Sequence, residues 1–206
     1  MHDISTKTAK VSAPAKINLC LLVGPRRAEG YHPVCSLMEK IRLFDNLRTM
    51  REVEGIGIRL SGSEIPPAEN IVMKAARALE GEIGEKLDVD IELKKEIPAA
   101  AGLGGGSSDA AAILKLLVFM FGLDVPAERL RALAFPLGAD VPFFLAPGPQ
   151  LARGVGGART AVSGLPDSSL VLVKPPFDLV TAEVYGWFAA MAGATRDAPA
   201  RCTQLR

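Results

Sequence analysis

The most regular hydrophobic pattern in the chain lies between positions 87 and 94. Leu87, Val89, Ile91 and Leu93 alternate there with four charged residues. A period of two puts the apolar side chains on one face of an extended chain, so this segment predicts a half-exposed β-strand. Pro98 cannot donate a backbone hydrogen bond and is expected to stop the strand.

A second alternation, over 13–23, predicts another strand. Lys16 and Asn18 lie two residues apart and therefore share one face of it. The other face carries three apolar residues: Ile17, Leu19 and Leu21. A polar turn over 24–30 follows, and an apolar stretch over 34–47 comes after it.

Several later segments have helical features. Asn70 is a good N-cap for a helix whose buried stripe is Ile71, Ala75 and Leu79. Residues 107–121 are apolar nearly all round and predict a central buried helix, capped by one of the two serines at its start and ended by Gly122. Further helices are predicted from 124–126 to about 134 and after 181, with an apolar segment over 170–173 between them. Strands and helices without a regular repeat indicate the α+β class.

Composition narrows the class of protein. The chain has 206 residues, of which 49% are hydrophobic and 23% charged, as in soluble globular proteins. A formal net charge of +1 offers no basic surface to a polyanion, so we expect no nucleic-acid partner. The polar amino terminus and the absence of a bilayer-length apolar run predict a cytoplasmic protein without a membrane partner. Three cysteines and two histidines lack zinc-ligand spacing, and no metal site is predicted.

A glycine-rich loop joins the predicted strand at 87–94 to the helix at 107–121. Its small residues let backbone N–H groups approach a ligand closely, and with the helix N-terminus they form a site suited to phosphate. The loop has no Gly-Lys-Ser/Thr, so it is not a Walker loop, and Ser107 stands where a dinucleotide fingerprint needs its third glycine. The alternative is a flexible turn ahead of a buried helix.

Four side chains outside this loop carry candidate chemistry, and each has a plainer interpretation. Phosphoryl transfer to an alcohol needs a group that takes the hydroxyl proton, and Asp140 suits that role. Taken alone, Asp140 is equally well a turn or capping residue, and Lys16 a strand lysine with its charge in solvent. Tyr31 and His32 in a turn are ordinarily surface or core residues.

Five motifs, in this order, resemble those of the GHMP kinases, which are ATP-dependent small-molecule kinases. They are APAKINL at 13–19, GYH at 30–32, GLGGGSSDAA at 102–111, LGADVP at 137–142 and TAEVY at 181–185. The triple glycine and the Gly-Tyr-His motif are similar to one branch in particular. Its members use ATP to phosphorylate the 2-hydroxyl of a methylerythritol linked to cytidine diphosphate, a step in non-mevalonate isoprenoid precursor synthesis.

The resemblance implies roles for the candidate residues. Asp140 is implied to be the catalytic base and Lys16 its charged partner, with Asn18 directed into the same site. On the substrate side, an aromatic pair is implied to stack on the cytosine while His32 hydrogen-bonds its edge. The aromatic pair is Tyr31 and Tyr185, and Thr181 is implied to be one further substrate contact.

The nucleotide end is implied to involve a larger set of residues and a metal ion. Mg²⁺ is implied to bridge the ATP phosphates and to take few protein ligands. The implied ATP contacts are Asn70 and the whole glycine-rich loop: Pro98, Ala99, Ala100, Ala101, Gly102, Leu103, Gly104, Gly105, Gly106, Ser107 and Ser108.

The resemblance also implies a domain organisation. We expect a ribosomal-protein-S5-like ATP-binding and catalytic domain over 1–165, and over 166–206 the incomplete start of a ferredoxin-like substrate domain. The family carries a further C-terminal section that this sequence lacks, so we expect a truncated chain with uncovered apolar faces after about 170. The alternatives are another GHMP kinase, of the homoserine or mevalonate type, and a nucleotide-binding fragment without activity.

Overall fold

The computed structural model describes residues 7–28, 30, 32–52, 55–154, 157–163, 165–177 and 181–191. Its strands are β1 (Thr8–Val23), β2 (Val34–Arg51), β3 (Ile58–Ser61), β4 (Val89–Lys94), β5 (Gln150–Gly154) and β6 (Ala158–Ala161). Its helices are α1 (Ile71–Ile83), α2 (Gly105–Phe121), α3 (Ala127–Leu137), α4 (Val141–Leu145) and α5 (Thr181–Ala190). The α+β class is confirmed. Within these residues no helix has the length and apolar character needed to cross a membrane.

The chain divides into two compact units. The first comprises Met1–Ala15, Arg42–Ile97 and Gly104–Ala146, and the second comprises Lys16–Ile41, Pro98–Leu103 and Pro147–Arg206. The long strands β1 and β2 pair with each other, and each of them runs through both units. The expected domain boundary at residue 165 stays a prediction.

The first unit packs helices on a small mixed sheet. The C-terminal half of β2 runs antiparallel to β4, from Asn46↔Lys94 to Arg51↔Val89. β4 in turn runs parallel to β3, because α1 provides the crossover that a parallel pair needs. Helix α2 packs against both α1 and α4. The largest fully buried side chains here include Leu79, Ile91, Ile113, Leu117 and Phe143.

The second unit contains an antiparallel sheet segment. The N-terminal half of β2 pairs with β5, from Val34↔Gly154 to Met38↔Gln150, and β5 pairs with β6. Cys35 and Leu151 form a small apolar cluster there with Leu22, Leu37 and Val162. The apolar segment over 170–173 forms no strand, and Val171 and Val173 are 91% and 86% exposed.

Leu19 and Leu21, for which the strand pattern predicts a shared face, are 49% and 48% exposed. Two sequence-based expectations need correction. Helix α2 begins at Gly105 rather than Ser107: Gly104 stands at the N-cap position in a left-handed conformation, and no serine side chain caps the helix. Ile71 is only half-buried, because the buried face of α1 is carried by its neighbours Val72, Ala75, Ala76 and Leu79.

Candidate functional site

The glycine-rich loop follows β4 and turns sharply through left-handed backbone conformations. Gly102 and Gly104 both have φ of 70°, which glycine adopts without steric cost. Ala100 has φ of 52°, a value that is unfavourable for a residue with a Cβ. Strained backbone of this kind is concentrated at binding and active sites, which agrees with the predicted role of the loop.

The start of α2 presents backbone N–H groups that the helix itself does not satisfy. The first intrahelical bond from this end runs from the Ser108 N–H to the Gly104 carbonyl at 2.9 Å, so the preceding N–H groups point out of the helix. Gly105 is closely surrounded, because a Cβ there would lie 3.1 Å from Ile97 Cγ2 and 3.2 Å from Asp45 Oδ2, so that a larger residue would require these neighbours to shift. The Ser108 hydroxyl is buried and has no hydrogen-bond partner among the described residues. These features suit an anion at the helix N-terminus.

Asp140 lies in the same unit, immediately before the short helix α4. Its backbone carbonyl accepts the Phe143 N–H at 3.1 Å, and its side chain makes no capping hydrogen bond to α4. Gly138, two residues earlier, lies beside the start of α2: a Cβ on Gly138 would be 3.7 Å from Ser107 Oγ. The loop that carries Asp140 therefore packs against the helix start that presents the free N–H groups.

Helix α4 is held from its C-terminal end by a lysine of α2. Lys115 Nζ donates to the Phe144 carbonyl at 3.2 Å. Burial lowers the pKa of Lys115, since a desolvated ammonium is less stable than a hydrated one. The contact fixes α4, and with it the Asp140 loop, to the helix of the glycine-rich segment.

Lys16 and Asn18 belong to the second unit and face the same side of β1, as predicted. Lys16 is only 6% exposed, and its Nζ donates to Asn18 Oδ1 at 2.7 Å. Asn18 Nδ2 donates to Ser36 Oγ at 2.6 Å, and that hydroxyl donates to the Cys20 carbonyl at 2.9 Å. The Lys16 N–H also donates to the Leu103 carbonyl at 2.9 Å. The lysine is thus oriented by a polar row and tied by its backbone to the glycine-rich loop.

His32 and Tyr185 come together in the second unit. Their rings stack with centroids 5.6 Å apart and planes 24° apart, and Phe188 meets His32 edge-on at 6.0 Å. His32 Nδ1 lies 2.9 Å from the Gly24 carbonyl. Because a carbonyl oxygen only accepts, Nδ1 is the donor in this hydrogen bond. Tyr31 and the side chain of Thr181 lie outside the described residues.

Asn70 acts as the N-cap of α1, as its sequence context predicts. Its Oδ1 accepts the Val72 N–H at 2.9 Å, and its Nδ2 donates to Ser63 Oγ at 2.9 Å. The side chain is 3% exposed, and both ends of its amide are engaged. A contact between Asn70 and the nucleotide stays a prediction.

Comparison with known proteins connects this arrangement to a family. Residues 70–148 match the family model described as the GHMP kinases N terminal domain. A 4-diphosphocytidyl-2-C-methyl-D-erythritol kinase of Syntrophotalea carbinolica is 45% identical over 176 residues, which make up 84% of this chain and 62% of the relative. One of Ralstonia nicotianae is 38% identical over 200 residues, or 97% of this chain and 68% of the relative. The chain belongs to the 4-diphosphocytidyl-2-C-methyl-D-erythritol kinase family of GHMP kinases.

Solved structures agree with membership of this family. A crystal structure of 4-(cytidine 5'-diphospho)-2C-methyl-D-erythritol kinase matches with a TM-score of 0.68 and 40% identity, covering 75% of this chain and 55% of that one. Homoserine kinase from Cytophaga hutchinsonii matches with a TM-score of 0.60 at 18% identity, covering 88% and 64% of the two chains. That second likeness shows the GHMP fold alone. This chain spans about 62% of the length of the first relative it matches.

Several residues of the site had no distinct signal in the sequence. Ser36, which orients Asn18, is one of several polar residues within the stretch over 34–47, and nothing in the sequence distinguishes it from the others. Phe188 follows Tyr185 by three residues, so helical spacing places both on one face of α5, a pattern equally typical of a core helix. Asp45 and Lys95 stand among many other charged residues in the sequence, and only the fold reveals that buried Asp45 pairs with Lys95.

Proposed function

We propose that this chain is the nucleotide-binding and catalytic part of a kinase that transfers the γ-phosphoryl group of ATP to the 2-hydroxyl of 4-diphosphocytidyl-2-C-methyl-D-erythritol. The observation that carries the proposal is the contact between the start of α2, at Ser107, and Gly138 in the loop of Asp140. This contact puts an anion-binding helix N-terminus beside a carboxylate that suits a general base. The relatives named for this substrate, 45% and 38% identical, support the choice of acceptor.

The phosphates of ATP are bound chiefly by backbone in this proposal. The unsatisfied N–H groups of Gly105, Gly106 and Ser107 donate to the phosphate oxygens, and the positive end of the α2 dipole stabilises their charge. Gly104 supplies the left-handed turn before the helix, and Gly105 lies so close to Ile97 and Asp45 that a Cβ would crowd them.

Asp140 takes the proton of the accepting hydroxyl in this proposal, which makes the hydroxyl oxygen a better nucleophile for the γ-phosphorus. Lys16 stabilises the ionised carboxylate and the developing negative charge. Its burial and its hydrogen bond to Asn18 support this role, because a side chain that is already oriented loses little entropy in the reaction.

A magnesium ion fits the chemistry of the α2 start. Within the residues that the structure describes, no group of three or more His, Cys, Asp or Glu side chains could hold a metal ion by itself. Mg²⁺ keeps several waters and takes one or two protein oxygens together with substrate phosphates. The Ser107 hydroxyl or the buried, unpartnered Ser108 hydroxyl would supply such an oxygen. When bound, the ion would neutralise charge on the transferred phosphoryl group.

The cytosine end of the substrate is assigned to His32 and Tyr185. With Nδ1–H committed to the Gly24 carbonyl, Nε2 of His32 accepts a hydrogen bond from the exocyclic amino group of cytosine. The Tyr185 ring beside it offers an aromatic face for stacking on the base. Tyr31 is proposed as the second stacking ring and Thr181 as a further substrate contact.

The test is an assay of ADP release with three acceptors. The chain should form ADP with the cytidine-linked substrate and not with mevalonate or homoserine, and Asp140→Asn should abolish this ADP formation while leaving ATP binding in place. A matched control is Asp124→Asn, the same exchange at an exposed aspartate of the first unit. ADP formation with mevalonate or homoserine instead would overturn the assignment of the acceptor, and full turnover by Asp140→Asn would overturn the assignment of the base.

A further inference from the structure

A cluster of three charged side chains lies beside the two ends of the glycine-rich loop, and the proposed mechanism does not use it. Asp45 of β2 is fully buried, and Asp109 in the first turns of α2 is 2% exposed. Lys95, the first residue after β4, places its Nζ against Asp45 Oδ2 and 2.7 Å from Asp109 Oδ2. One ammonium, on a side chain that is 34% exposed, therefore bridges two buried carboxylates.

Asp45 also holds the backbone on the entry side of the loop. Its Oδ1 accepts the N–H groups of Glu96 at 2.6 Å and of Ile97 at 2.8 Å, the two residues immediately before Pro98. On the exit side, Gly105 approaches so closely that a Cβ on it would lie 3.2 Å from Asp45 Oδ2. The carboxylate of Asp45 thus touches both ends of the loop.

Lys95 completes the link between the two ends. It belongs to the entry side by sequence and donates to Asp109 on the exit side, fourteen residues further along the chain. Burial raises the pKa of Asp109 to about 7, with Lys95 acting in the opposite direction and Asp45 in the same one. Asp45 accepts hydrogen bonds from two backbone N–H groups and from the Lys95 ammonium.

We propose that Asp45, Lys95 and Asp109 form a clamp that fixes both ends of the glycine-rich loop and thereby positions its N–H groups for the phosphates of ATP. These are positioning residues, because their charged atoms contact one another and the loop backbone. Only the part of this inference that concerns ATP binding rests on the proposed function. A loop of small residues with left-handed turns has many accessible conformations, and fixing both of its ends removes most of that freedom before the ligand arrives.

The first test measures loop order without any nucleotide. Amide hydrogen exchange over residues 99–106 should be faster in Lys95→Met than in the parent, by about tenfold or more, because the two ends lose their link. The matched control is Lys94→Met, the same exchange one residue earlier, where the side chain is 75% exposed and pairs with Glu96 at the surface. The control should exchange at the parent rate.

The second test measures ATP affinity by isothermal titration. Lys95→Met and Asp109→Leu should each weaken ATP binding by about tenfold, while the dissociation constant of the cytidine-linked substrate stays within about threefold. Asp109→Asn keeps an oxygen that accepts from Lys95 Nζ, so it should restore ATP affinity to within about threefold of the parent. Because this conservative exchange preserves packing, it separates positioning from a general loss of stability.

A different set of results would identify Lys95 as a direct phosphate ligand and would refute the clamp. In that case Asp109→Leu would release the lysine and tighten ATP binding, and loop exchange in the nucleotide-free protein would not respond to Lys95→Met. If the parent does not bind ATP at all, the proposed function fails, and the hydrogen-exchange comparison still decides whether the clamp exists. Unchanged exchange in Lys95→Met refutes it.

Discussion

Replacing Asp109 by asparagine tests the protonation state of the Asp109 carboxyl in the cluster with Asp45 and Lys95. Burial raises the pKa of Asp109 to about 7 from its ordinary value of 3.8. The charged groups that face it are Lys95, which follows β4, and Asp45 of β2. Between these two pKa values the folded protein binds a proton that the unfolded chain does not bind. Its free energy of unfolding therefore falls as the pH rises through this window.

The size of the effect follows from one titrating group. With a folded pKa of about 7, the protonated fraction of Asp109 falls from roughly nine-tenths at about pH 6 to roughly one-tenth at about pH 8. The unfolded carboxyl is ionised at both values. Integrating the linkage relation gives a loss of about 1.4 kcal/mol in the free energy of unfolding over this interval. Because the asparagine side chain of Asp109→Asn cannot titrate, this variant should not show that loss of stability.

Urea unfolding, followed by circular dichroism at the two pH values, measures this loss in the free energy of unfolding. The parent should lose about 1.4 kcal/mol more than Asp109→Asn between them, and the comparison cancels groups common to both proteins. Asp124→Asn, at an exposed position in the same unit, should behave as the parent does. An equal pH dependence in parent and Asp109→Asn would show that Asp109 is ionised throughout, paired with Lys95, and would refute the reasoning.

Three further predictions concern the loop, the first helix and the cytosine pocket. Gly105→Ala should lower the free energy of unfolding by about 1–3 kcal/mol in urea titrations, because its Cβ would crowd Ile97 and Asp45, whereas Gly81→Ala meets nothing and should not. Asn70→Ala should cost about 1 kcal/mol or more through loss of the cap, and Asn70→Ser should recover most of it. His32→Ala should weaken binding of the cytidine-linked substrate by about 1–3 kcal/mol in isothermal titration and leave ATP binding unchanged. Equal losses for both ligands would remove His32 from the substrate pocket.

Local patterns in the sequence were enough to predict the longer elements. The alternation from Leu87 to Leu93 became β4, and Asn70 and Gly122 became the expected helix caps. Strands β3, β5 and β6 have four or five residues, too few for a period of two to stand out from chance. The exposure of Leu19 and Leu21 could not be foreseen either, because alternation gives the two faces of a strand but not which one is covered.

In the candidate site too, some features could be predicted from local sequence and others depend on contacts between distant residues. The prediction of a phosphate-binding loop follows from glycine content and position, and the shared face of Lys16 and Asn18 follows from their spacing. The clamp could not be predicted from the sequence, because Asp45 contacts Lys95 across fifty residues of sequence and no single-sequence pattern encodes that contact. Interactions between distant residues depend on strand pairing, here the antiparallel register of β2 and β4.

The clamp also accounts for a feature of the loop chemistry. The lysines around the loop in the first unit are already committed: Lys94 pairs with Glu96, Lys95 with two carboxylates, and Lys115 with a carbonyl of α4. Each of these ammonium groups donates to a protein oxygen, so in the proposed function the backbone N–H groups at the start of α2 bind the phosphates. Backbone dipoles neutralise only part of the charge on a triphosphate, since a helix terminus is equivalent to about half an elementary charge. The remaining charge has to be balanced by a cation from elsewhere, which is why the proposed mechanism assigns distinct roles to Lys16 and to a magnesium ion that arrives with ATP.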